Sequence, residues 1–111
     1  MVMPKFVSVH KWTRETHATC IKETIIGFTA MLKGETAKDI VMHYTWSRLD
    51  DPYGAFCCWE APSKEALVKL FEKYLPTLLK YTEFVPVLQM YPPTVEYELS
   101  LLQTLHDMSS K

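Results

Sequence analysis

The sequence predicts an α+β fold: one four-stranded antiparallel sheet, two helices against one of its faces, and a further helix at the C-terminus. Three observations carry this. Four segments have the length and alternation of strands. Two segments switch to helical spacing, one after the first strand and one after the third. A short turn signal, "DDPYG" (50–54), joins the second strand to the third with no room for a helix between them.

The first strand is "KFVSVHKW" (5–12), with Phe6, Ser8, His10 and Trp12 on one face and Val7 and Val9 on the other. Residues 13–32 then form the first helix. Ala18, Ile21, Ile25, Phe28 and Leu32 recur at separations of 3, 4, 3 and 4 and build one apolar stripe. Gly34 supplies the C-terminal stop. "DIVMHYTWSRL" (39–49) is the second strand, with Ile40, Met42, Tyr44 and Trp46 on one face and Val41, His43 and Thr45 on the other. "AFCCWEA" (55–61) is the third, with Cys57 and Trp59 facing one way and Cys58 and Glu60 the other. Pro62 sets up the next helix and Ser63 caps it. Leu67, Leu70, Phe71, Tyr74 and Leu78 form the buried face of that second helix, and Pro76 kinks or shortens its end. "TEFVPVLQMY" (82–91) is a fourth strand at a sheet edge, because Pro86 cannot donate a ladder hydrogen bond. "PPT" (92–94) breaks the chain, and Leu99, Leu102 and Leu105 mark a final helix over about 94–108.

The order β-α-β-β-α-β is the split βαβ, or ferredoxin-like, arrangement, here as a single domain over residues 1–111 with its core at about 4–91. The strand order expected is 4-1-3-2. One face of such a sheet carries the helices and the other stays open. The alternation above puts Phe6, His10, Trp12, Tyr44, Trp46 and either Trp59 or Phe56 on the open face. So aromatic a surface calls for a cover. A second copy, joined sheet to sheet, would bury it and enclose a cavity.

Composition narrows the classes. Hydrophobic content of 48% and aromatic content of 13% are those of a globular chain. The net charge of −1, without a Lys/Arg cluster, gives no footprint for nucleic acid or an anionic membrane. No apolar run approaches the ~20 residues of a membrane span. "MVMPKF" lacks the regions of a secretory signal. An odd number of cysteines (three), two of them adjacent, argues against a disulfide framework and for reduced thiols in a cytoplasmic setting. The six methionines are scattered as gap fillers. Phosphate loop, dinucleotide fingerprint, spaced Cys/His zinc pattern and nucleophile elbow are all missing, so no cofactor is expected.

"VSVHKW", "HYTW" and "FCCWEAPSKEAL" together resemble the dimeric α/β-barrel superfamily, and within it small uncharacterised families that include a nickel-binding-like group. The resemblance covers roughly residues 4–91 and rests chiefly on Phe56, Cys57, Glu60, Ala61, Pro62 and Ser63. It implies a ferredoxin-like protomer that dimerises through its sheet. Members include monooxygenases, haem-degrading enzymes and plain ligand-binding proteins, so the fold leaves the chemistry open. Where the metal-binding group places histidines on the second helix, this chain has "LVKLFEKYLP" and no His.

The candidate ligand pocket is His10, Trp12, Tyr44, Trp46, Cys57 and Trp59. His10 is the first candidate for a pocket base, because imidazole titrates near neutral pH. The alternative is an interface histidine held by Tyr44 or a carbonyl. Cys57 and Cys58 read as small buried hydrophobes. Their side chains diverge along a strand and make a poor chelate. Glu60 either accepts backbone N–H bonds at the helix start or serves as a pocket acid. His43 is a helix-side or edge histidine, and His17 and His106 are solvated. No catalytic set emerges. The function that fits is binding of a small, mostly apolar ligand by a homodimer. The alternatives are a cofactor-independent monooxygenase-like enzyme or a nickel-like metal module.

Overall fold

A computed structural model of the chain describes residues 3–87 and 95–109. Its elements are β1 (Lys5–Lys11), α1 (His17–Leu32), β2 (Val41–Ser47), β3 (Gly54–Glu60), α2 (Lys64–Tyr74), α3 (Pro76–Leu79), β4 (Thr82–Val87) and α4 (Val95–Ser109). Residues 88–91 of the expected fourth strand and the break at 92–94 lie outside the described residues. The strands form one four-stranded sheet in the order β2-β3-β1-β4 with every neighbouring pair antiparallel. This α+β arrangement fits a ferredoxin-like fold.

The helix side of the sheet is the side opposite to the one expected. Phe6, Ser8 and His10 are buried under the helices, and Val7 and Val9 face outward, only half-buried. The cause is aromatic packing. Phe6 stands opposite Trp59 on β3, and the rings of Trp59 and Phe84 both meet Phe71 of α2 edge-on, at 5.8 and 5.0 Å. Leu67, Leu70, Leu75 and Leu78 complete the core. Two valines cannot match the area that these rings remove from water, so the aromatic parity wins the interior.

A second correction concerns β2. Met42 pairs with Trp59 and Tyr44 with Cys58, so two residues of β2 advance against one of β3. His43 is the extra residue of a β-bulge. The alternation therefore breaks within the strand. Ile40 and Met42 pack on the core, whereas Tyr44 and Trp46 lie on the open face with Cys58 and Phe56.

The helices have local causes. Before α1, the hydroxyls of Thr13 and Thr16 cap each other's backbone N–H, at 3.1 and 3.2 Å, and hold a turn that delays the helix to His17. Gly34, at φ +72°, ends it: Gly34 N–H donates to Met31 O and Glu35 N–H to Ala30 O, the paired bonds of a Schellman stop. The stripe expected to be buried on α1 is not its buried side. Cys20, Gly27 and Ala30 are, whereas Ile21, Ile25 and Leu32 are exposed. Small residues let α1 approach the junction of α2 and α3: a Cβ on Gly27 would sit 3.3 Å from Leu75 Cδ1. Glu23 Oε1 accepts from Thr77 N and Leu78 N at 2.9 and 3.2 Å, capping α3 from the neighbouring helix. At the start of α2, Ala66 N donates to Ser63 Oγ at 3.1 Å, as expected of the cap. Pro76 ends α2 at Tyr74 and opens the short α3.

Candidate functional site

α1 roofs the β2 half of the sheet's helix face and leaves a gap beneath it. A cavity of about 220 Å³ lies in the gap. Its floor is sheet: His10 and Trp12, then Thr45 and Ser47, then Ala55, Cys57 and Trp59. Its roof is Ile21, Thr24, Gly27, Phe28 and Met31 of α1, and its far end is Leu70, Tyr74, Leu75 and Leu78. Among the described residues that line it there is no Asp, Glu, Lys or Arg.

Most of the polar atoms on this wall are already engaged. Trp59 Nε1–H donates to Ser8 Oγ at 2.9 Å, which leaves the Ser8 hydroxyl proton for His10 Nε2 at 2.8 Å. On the other side, Thr82 Oγ1 donates to Leu78 O at 2.7 Å and so accepts from His10 Nδ1 at 2.7 Å. The directions of these bonds assign the proton of the neutral ring to Nδ1. His10 is 3% exposed and its ring stacks on Phe71 at 5.8 Å. Burial pushes its pKa from 6.5 down to about 4. It is a neutral core residue with both nitrogens occupied, and neither is free to take a proton or a metal.

Cys57 Sγ lies 3.3 Å from Thr45 Oγ1. Burial raises its thiol pKa, and the Thr45 hydroxyl opposes this only in part. A thiol so held is a poor nucleophile at neutral pH. Thr24 Oγ1 donates to Cys20 O at 2.8 Å, and Trp12 Nε1 donates to His17 Nδ1 at 2.9 Å. His17, expected in solvent, is thus half-buried between Trp12 and the ring of Tyr53. Thr45, Ser47 and Tyr74 keep hydroxyl capacity toward the cavity.

The structure brings His10, Trp12, Cys57 and Trp59 together on one wall and sets Tyr44 and Trp46 on the opposite face of the sheet. There the two rings stack at 5.6 Å, with Tyr44 46% and Trp46 51% exposed. Glu60 neither caps α2 nor enters the cavity. It bonds Lys5 Nζ at 3.0 Å, and that hydrogen bond holds its carboxyl below the usual range. No disulfide joins Cys20, Cys57 or Cys58, and Cys57 and Cys58 face opposite sides of the sheet. Among the described residues no three His, Cys, Asp or Glu side chains are grouped as a metal ion needs, and no helix is long and apolar enough to cross a membrane. The lining by Thr45, Ser47, Phe28 and Tyr74 was not anticipated. Its signal was present: Thr45 and Ser47 alternate with the aromatic pair, and Gly27 interrupts the apolar spacing of α1.

No family model matches the chain, and no curated protein does. Among solved structures it is similar to that of a conserved protein from Methanosarcina mazei Go1. The TM-score is 0.57 and the identity 13%, over 81% of this chain and 95% of that one. At that identity the likeness shows the fold alone.

Proposed function

We propose that this protein binds a small, mostly apolar molecule in the cavity between α1 and the sheet. The observation that carries the reading is the cavity's lining. It is mainly aliphatic and aromatic, and the polar groups of its His10 and Trp59 are tied up by Ser8 and Thr82 behind the wall. A dry apolar space of ~150 Å³ is enough to hold benzene, and this one is about 220 Å³. A convergent set of polar groups on mostly apolar walls is the usual form of a small-molecule site. We further propose that the working unit is a homodimer joined across the open sheet face. Exposed Tyr44 and Trp46, the unpartnered apolar stripe of α4 and the resemblance to dimeric α/β barrels support this.

The test of binding is a titration of the ¹⁵N-labelled protein with single-ring aromatics at millimolar concentration. Amide shifts confined to cavity residues such as Thr24, Ala55 and Met31 are expected. The variant Ser47→Phe, at an exposed strand position on the cavity wall, should retain the fold by circular dichroism and lose those shifts. Shifts that are absent in the parent protein, or that persist unchanged in Ser47→Phe, would remove the cavity as the site.

A further inference from the structure

Resting on that reading, we infer that the cavity selects an uncharged aromatic ring carrying one hydroxyl-type group, with the ring against Trp12, Phe28 and Trp59 and the polar group directed at Thr45 and Ser47 of β2. The inference comes from sorting the wall by what each polar atom still has to offer. His10, Trp59, Trp12 and Thr24 are each committed to a protein partner at 2.9 Å or less. What remains on the sheet wall lies at one side. Thr45 shares only a weak 3.3 Å contact with the Cys57 thiol, and its oxygen keeps acceptor capacity. Ser47 projects from the same face of β2 two residues on, because the strand is regular past the bulge. The rest of the lining is apolar apart from Tyr74 at the far end.

Charge selection follows from the same inventory. A carboxylate would enter without a Lys or Arg on the wall to balance it, and the imidazole at the bottom is neutral with both nitrogens bonded. An ammonium would meet no carboxylate there, since Glu23 is turned to the α3 backbone. Either ion gives up part of its hydration without an opposite charge on the wall, and keeps water only at the exposed Thr45 and Ser47 side. Size selection follows from volume. Against the ~150 Å³ that accepts benzene, about 220 Å³ fits one ring with a short substituent. A phenol-like hydroxyl offers both a donor and an acceptor to the two β2 hydroxyls, which an unsubstituted ring leaves to solvent.

Four isosteric probes test this by titration calorimetry and amide shifts: p-cresol, toluene, p-toluate and 4-methylbenzylammonium. The expected result is binding of p-cresol about 3- to 10-fold tighter than toluene, the worth of one hydrogen bond, with neither ion binding measurably. Thr45→Val preserves shape and removes the hydroxyl. With Ser47→Ala it should erase the p-cresol advantage over toluene. Equal affinity for p-cresol and toluene, or an advantage that survives both substitutions, overturns the selectivity while the apolar-cavity reading stands. Binding of either ion as tightly as p-cresol overturns it too. If none of the four probes perturbs cavity amides, the cavity reading itself fails and this inference falls with it.

Discussion

His10 shows how a polar residue can belong to a core. Its ring bridges Ser8 and Thr82, and the chain from the Trp59 indole to the Leu78 carbonyl leaves no donor or acceptor in it unpaired. A fully satisfied buried network carries little penalty while it stays neutral. Protonating the ring would set a second N–H against the Ser8 hydroxyl in a site without a carboxylate, which is why burial lowers the pKa to about 4. The unfolded chain therefore takes up the proton first as pH falls through the ordinary 6.5. The stabilisation from this site is complete above pH 6.5, and it is lost progressively as the pH drops towards 4. By linkage it is worth about 3 kcal/mol in all. Urea unfolding between pH 7.5 and 4 should show that decline. In His10→Gln, which keeps a donor and an acceptor without a titrating ring, the baseline should be lower and this part of the slope gone. An identical slope in the variant would place the titrating group elsewhere. Ser8 and His10 also explain why the face of β1 was misjudged from sequence. Their polarity argues for an outer face, and only the bonds between them, across two residues of one strand, make burial tolerable.

At the scale of elements, strand and helix positions were legible because period and punctuation agree. "DDPYG" made the β2–β3 turn, where Tyr53 N–H reaches Asp51 Oδ1 at 2.9 Å, and Ser63 and Gly34 bounded their helices. Which side each element turns inward was less legible. Alternation divides a strand into two faces without labelling them, and a bulge changes the parity without a Gly or Pro to announce it. On α1 the larger side chains suggested a buried stripe. The helix instead buries Cys20, Gly27 and Ala30, since close contact with α3 favours small residues. The cavity was hidden for the same reason: it depends on how α1 sits over β2, which alternation does not specify. The bulge yields a prediction of its own. Since His43 is the unpaired residue, deleting it leaves Met42 opposite Trp59 and Tyr44 opposite Cys58, each on its present face. The deletion should cost about 1 kcal/mol or less, within the range of benign surface changes. Deleting Thr45 instead would throw Trp46 onto the core face and should cost several times more. Chemical denaturation of the two deletion variants compares them directly, and equal losses would mean that the bulge does not set the parity.

At the scale of the whole molecule, apolar surface is left over on α1, where Ile21, Ile25, Ile26 and Leu32 are exposed, and in the two places that the proposed dimer would use. The open sheet face presents Val41, Tyr44 and Trp46 beside half-buried Val7, Val9 and Phe56, and α4 presents Val95, Leu99, Leu102, Leu105 and Met108 along one stripe. The radius of gyration of 16.2 Å and the long axis of 49 Å exceed what compaction predicts for this length, about 13 Å in radius. This is the shape of a chain with an element not packed on its own body. Size decides how the two surfaces must be used. Four strands at ~4.8 Å spacing and ~3.3 Å rise give a sheet face of roughly 400 Å². A stable pair buries roughly 800 Å² per partner, so sheet against sheet falls short alone. The 15 residues of α4 extend a further ~22 Å, and its stripe laid along the partner would make up the difference. The proposed dimer therefore needs both surfaces. Light scattering at micromolar concentration should give twice the chain mass for the parent protein. Trp46→Glu and Leu102→Glu should each shift the mass towards one chain, while the core, which contains neither residue, keeps its thermal unfolding intact. A parent protein that scatters as a single chain would sink the dimer. A dimer that survives Leu102→Glu but not Trp46→Glu would confine the contact to the sheet and leave α4 to some other use.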